Sequence, residues 1–153
     1  MKKYQVILVG VDGSKNAKEA VNKALELAKY SDAKLVLASV IKPYVSVGFG
    51  GPGLEVDSNS DDQMTNEERK HREEMLQKYA KEASQAGVTA ETVVVIGSPK
   101  EELAKNLAQQ YQADLIIVGA TGLNRVEQVM IGSTASYVVR ASKRDTLVVT
   151  SQA

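Results

Sequence analysis

Cysteine is absent from this 153-residue chain, which excludes a disulfide scaffold and any thiolate metal site. Histidine occurs once, as His71. With no cysteine beside it, a transition-metal centre lacks ligands. Charge of one sign is not in excess, because 19 Lys and Arg balance 19 Asp and Glu. Bulk attraction to nucleic acid or to an anionic membrane is therefore missing, and neither is expected as a partner. Long apolar runs are missing too. Val6-Ile7-Leu8-Val9, near the start, is too short for a signal peptide or a membrane span. Cytoplasmic residence is the expectation. No internal repeat or low-complexity tail is present.

What is present reads as one domain over residues 1–153. A chain of this length buries roughly 70% of its unfolded surface without a metal or a disulfide. Short, nearly continuous apolar runs rich in Val, Ile and Leu occur at Gln5–Val11, Lys34–Val40, Thr92–Ile96, Leu115–Val118 and Thr146–Thr150. Continuity, in place of alternation, marks strands covered on both faces, as in a parallel sheet. Helical stripes separate them. Ala17, Ala20, Val21, Ala24, Leu25 and Ala28 share one face, as do Leu76, Tyr79, Ala80 and Ala83. Leu103, Ala104, Leu107 and Ala108 form a third stripe, and Thr134–Ser142 a shorter fourth helix. Asn16 before Glu19, Thr65 before Glu68, and Ser98-Pro99 before Glu101 read as helix starts. The order βαβαβαβαβ implies an α/β fold, a parallel sheet with helices on both faces. Only Pro43–Asp62, with four glycines and two prolines, breaks the rhythm. A flexible loop over about 43–62 is expected there.

Ligands of such sheets bind beyond the carboxyl ends of the strands, where strand order reverses. Two loops there carry unusual residues. After strand one comes Gly10-Val11-Asp12-Gly13-Ser14. Its glycines let backbone approach a ligand, and Asp12 can accept from a ribose hydroxyl or hold a water on a metal. The competing reading is a tight turn in which Asp12 or Ser14 caps the next helix. After strand four comes Gly119-Ala120-Thr121-Gly122, then nine residues, then Gly132-Ser133. Unpaired N–H groups where the fourth helix opens favour a phosphate by about 0.3–2 kcal/mol from the dipole. Ser133 and Thr134 add hydroxyls, and Arg125 can reach a phosphate from outside. Here the competing reading is that the glycines only shape turns. No Walker A sequence occurs, and the glycine spacing is not that of the dinucleotide fingerprint.

Gly-x-x-Gly, nine residues, Gly-Ser resembles the ATP-binding pattern of the universal stress protein family, matched by Gly119, Gly122, Gly132 and Ser133. Ile7–Ser14 is similar to that family's first strand and turn, and the likeness runs over essentially the whole chain. The resemblance implies a Rossmann-like, adenine nucleotide alpha hydrolase-like fold of five parallel strands in the order 3-2-1-4-5. It implies that Val11 and Val40 contact adenine and that Asp12 lies near ribose and phosphates. Gly119, Ala120, Thr121, Gly122, Asn124 and Arg125 would wrap the phosphates with Gly132, Ser133, Thr134 and Ala135. A divalent ion, magnesium or another, would bridge phosphate oxygens, and edge strand 146–150 would pair two copies into a homodimer. The chain departs from common family practice at Thr121, where many members have Arg or His. Ala135 stands where some members have a hydroxyl, and Arg144-Asp145 where Cys-Pro is frequent.

Other signals carry less. His71 lies among Arg69, Lys70, Arg72 and Glu73, which reads as a solvated helix face. Asp57, Asn59, Asp61 and Glu68 have calcium-loop spacing, but Asp62 stands where that loop needs glycine. Ser133 and Ser136 have no histidine partner, so no catalytic residue is assigned. The expected function is an ATP-binding regulatory or stress-response module with an unidentified signalling partner. A slow magnesium-dependent ATPase or nucleotide-dependent transferase using Asp12 is the alternative. A receiver-like domain would need an acidic cluster that Asp12 alone does not supply.

Overall fold

The computed structural model describes residues 3–43, 58–121 and 131–150. Five strands, β1 (Val6–Gly10), β2 (Lys34–Ile41), β3 (Ala90–Ile96), β4 (Leu115–Gly119) and β5 (Asp145–Val149), form one sheet in the order β3-β2-β1-β4-β5. All four pairings are parallel. The expected fold class and strand order are both found. β3 begins earlier than the apolar run at Thr92 suggests, because its pairing with β2 starts at Leu35↔Ala90 and continues to Ile41↔Ile96. Backbone pairing sets that boundary, and apolar content does not.

The helices form two layers. On one face lie α1 (Lys15–Ser31) and α2 (Ser58–Gln85). On the other, a continuous helical stretch comprises α3 (Pro99–Glu101), a π-helical segment (Glu102–Asn106) and α4 (Leu107–Gln110), and is followed by α5 (Ser133–Ala141). Alternate strand residues feed the two layers, as side chains of period two must. Ile7, Val9, Leu35, Leu37, Leu115 and Ile117 pack with Ala17, Ala20, Val21, Ala24, Ala28 and Leu76. Leu8, Val36, Ala38, Val40, Ile116 and Val118 pack with Leu103, Ala104, Leu107, Ala108, Ala135 and Val138. The alanine stripe of α1 carries little bulk, so this helix can lie close to the sheet.

Three helix starts differ from the capping-box reading, and the first follows the competing reading of the β1 turn, with Ser14 as the cap. Ser14 caps α1, its Oγ accepting from Ala17 N at 3.1 Å, and Asn16 is buried inside the first turn. Thr65 caps nothing, since α2 starts at Ser58. The last residues of the expected 43–62 loop, 58–62, are therefore helical, and residues 44–57 lie outside the described residues. Helical geometry at Asn59 and Asp61 also removes the calcium-loop reading. Pro99 opens α3 as expected, but the Ser98 side chain makes no capping bond. The Ser98 carbonyl instead accepts from Glu102 N at 2.9 Å.

Candidate functional site

Strand order reverses at β1, with β2 on one side and β4 on the other. A cleft of about 730 Å³ opens there over the carboxyl ends of the strands. Its volume lies within the usual range for small-molecule sites. Gly10, Val11, Asp12 and Ser14 line it from the β1 exit, and Val40, Ile41, Lys42 and Pro43 from the β2 exit. Gly119, Ala120 and Thr121 line it from β4, and Gly132, Ser133, Thr134 and Ala135 from the start of α5. The structure thus gathers ten of the thirteen site residues expected from sequence: Val11, Asp12, Val40, Gly119, Ala120, Thr121, Gly132, Ser133, Thr134 and Ala135. The other three, Gly122, Asn124 and Arg125, lie outside the described residues.

Local bonds shape this floor. At the β1 exit, Asp12 Oδ1 accepts from Ser14 N at 2.9 Å and Gly13 takes a φ of +88°, the left-handed value a turn glycine supplies. Asp12 therefore serves the turn with one carboxylate oxygen and lines the cleft as well. At the β4 exit, Ala120 N donates to Val149 O at 2.8 Å, and Gly132 N donates to Ala120 O at 2.6 Å. The second bond fastens the start of α5 to the end of β4. Gly132 is the N-cap residue of α5 and has no side chain with which to cap. The first intrahelical bond there runs from Ser136 N to Gly132 O at 3.0 Å. The amides of Ser133, Thr134 and Ala135 thus have no intrahelical acceptor, and their residues border the cleft. That arrangement suits an anion.

Two features escape the sequence reading. Gly119 is needed for packing. A Cβ there would fall 2.9 Å from Asn16 Cβ and 3.0 Å from its carbonyl carbon. The α1 backbone therefore passes directly over the end of β4. Asn16 Nδ2 donates to Thr121 Oγ1, which ties the α1 start to the β4 exit, while Asn16 Oδ1 is buried without a partner among the described residues.

The second feature is Arg72, which the sequence places on a solvated helix face. Its side chain is only 12% exposed, and it lines the cleft with Thr65 and Glu68. Its Nε donates to Glu68 Oε1 and its Nη1 to Ser39 Oγ, each at 2.7 Å. Ser39 on β2 is fully buried. A signal was available, because Arg72 lies four residues before Leu76 and seven before Tyr79, on the buried stripe of α2. His71 beside it is exposed, as expected. Among the described residues no cluster of three His, Cys, Asp or Glu side chains forms a metal site, and no helix is long and apolar enough to cross a membrane.

A doubly wound parallel sheet with a ligand-sized cleft over its switch point defines an open α/β protein of Rossmann-like architecture. Comparison with known proteins narrows the class. The sequence model of the universal stress protein family matches residues 3–150. A universal stress protein of Staphylococcus haemolyticus (strain JCSC1435) is 41% identical over 147 residues, covering 95% of this chain and 84% of the relative. Universal stress protein UspA from Lactobacillus plantarum superposes with a TM-score of 0.83 at 27% identity, over 97% of this chain and 99% of its own. A universal stress protein solved in complex with cAMP superposes at 0.66 with 30% identity, over 97% and 98% of the two chains. The chain belongs to the universal stress protein family.

Proposed function

We propose that this chain is an ATP-binding universal stress protein, a nucleotide-dependent regulatory module and not a dedicated catalyst. The observation that carries the reading is the start of α5, where the amides of Ser133, Thr134 and Ala135 have no cap among the described residues and their residues line the cleft beside Gly119–Thr121. Fixed donors and a helix dipole there fit the phosphates. The apolar walls at Val11 and Val40, across the cleft, fit adenine. The relative solved with cAMP, an adenine nucleotide, supports the same ligand class.

Magnesium fits only in a limited way. Asp12, with one carboxylate oxygen spent on Ser14, is the acid nearest the turn, and phosphate oxygens would supply the remaining hard ligands. Bound there, the ion would neutralise phosphate charge. Gly122, Asn124 and Arg125 complete the phosphate site in this reading. β5 is the last strand in the sheet order, and an edge strand of this kind is the proposed homodimer contact, in a single-domain cytoplasmic protein.

The test is acid extraction of the purified protein followed by titration with ATP. Released adenine nucleotide and saturable heat are expected. Absence of both refutes the proposal. ADP formation above blank that Asp12→Ala abolishes would replace the module by a slow ATPase.

A further inference from the structure

Arg72 needs an explanation beyond stability. Removing a guanidinium from water is costly, and one ion pair rarely returns more than it costs. Here it is held by two short bonds, to Glu68 on its own helix and to a fully buried serine on β2. Two of its N–H groups are thereby used. Among the described residues, the only buried side-chain polar atom without a partner is Asn16 Oδ1. Arg72 Nη2 is thus not a buried atom left without a partner, and the space this side chain lines is the cleft. Glu68 lines it too, with one carboxylate oxygen on Arg72 Nε and its side chain 43% exposed.

Position decides what this pair can read. An arginine in a nucleotide cleft is ordinarily a phosphate ligand. Arg72, however, is anchored to β2, whereas the anion-ready amides stand over β4 and α5. β2 and β4 flank β1, two strand spacings or about 10 Å apart. That separation is about the distance from a phosphate across a ribose to the base.

We infer that Arg72, aligned by Glu68 and Ser39, is a specificity-determining residue that reads the base of the bound nucleotide and not its phosphates. The inference rests on the nucleotide reading of the cleft and names a further contact within it. Arg72 supplies a donor for a ring nitrogen, and the free oxygen of Glu68 supplies an acceptor for an exocyclic amine. Adenine carries an amine beside a ring acceptor. Hypoxanthine carries an oxo group instead, which would face the carboxylate.

The experiment measures the affinity of the full chain for adenosine, AMP, ATP and ITP. In the unaltered protein ATP should bind more tightly than ITP. Arg72→Met should weaken adenosine, AMP and ATP by the same factor, about ten-fold or more for a lost charge-assisted bond. Glu68→Gln keeps the fold, because Glu68 is half exposed. It should bring ATP and ITP close to equal affinity, which a merely structural role for the pair would not do. A loss confined to ATP would make Arg72 a phosphate ligand and overturn the inference. So would unchanged affinities in Arg72→Met, or an undiminished preference for ATP in Glu68→Gln. Should Arg72→Met fail to fold, Glu68→Gln alone decides. An unaltered protein that binds no nucleotide refutes the function itself, which separates the two failures.

Discussion

Replacing Gly119 by alanine tests whether the close passage of α1 over β4 is real. The new Cβ would stand 2.9 Å from Asn16 Cβ, 3.0 Å from its carbonyl carbon and 3.1 Å from its carbonyl oxygen. Two of those three atoms are backbone in the first turn of a helix and cannot rotate away. The helix must shift, and overpacking of this kind costs about 1–3 kcal/mol. For a chain of this length that lowers the melting temperature by roughly 2–12 °C. Gly10→Ala is the control. There the new Cβ would meet Leu103 Cδ1 at 2.7 Å, the far end of a side chain that can change rotamer. Removing a glycine also restricts the unfolded chain, which returns about 0.4–1 kcal/mol at either site. Gly10→Ala should therefore cost clearly less than Gly119→Ala. Urea and thermal unfolding of both variants, followed by circular dichroism, give the comparison. ATP affinity should fall further in Gly119→Ala, because moving Asn16 releases Thr121 at the cleft. A Gly119→Ala protein as stable as the parent, or less affected than Gly10→Ala, would refute the reasoning.

Three further outcomes are expected. Gly13→Ala should destabilise by about 1–2 kcal/mol, because a side chain is strained at a φ of +88°; urea midpoints check it. Ser14→Ala removes the cap on Ala17 N and should cost about 0.5–2 kcal/mol in the same assay. The third outcome concerns alkaline pH. The hydrogen bond to Asp145 Oδ2, followed by burial, raises the Tyr4 phenol above 10.0, and burial raises Tyr79 and Tyr111 first of all. The folded state then keeps protons that the unfolded state releases. This contribution to stability is complete below about pH 10 and declines as pH rises beyond it. Phenolate absorbance of the native protein should show these groups titrating late, and a single unshifted transition for every tyrosine would contradict it.

The fold was legible in the sequence because its signals are local. Continuous Val- and Ile-rich runs of strand length fit strands covered on both faces, and the 3.6-residue stripes between them fit helices that cover those faces. Parallel order and right-handed crossovers follow from chain geometry. Much of the candidate site was legible for the same reason: Gly10–Ser14 and Gly119–Thr121 follow strands, and such loops fall at the carboxyl edge of the sheet. Helix boundaries were less so. Asn16 and Thr65 look like caps, yet Ser14 caps α1 and Thr65 lies inside α2, because a cap is defined by where the chain turns and not by residue type alone. The segment from Gly119 to Ser133 reads as a phosphate loop, and the spacing of its glycines points to the family that the chain belongs to. Only the folded chain shows that Gly119 also yields space to Asn16, more than a hundred residues away in sequence. Only the folded chain turns Arg72 from a surface charge into a wall of the cleft. Sequence period states which face of a helix is apolar. Which strand that face meets, and at which residue, depends on the crossover and the register, and those exist only once the sheet is assembled.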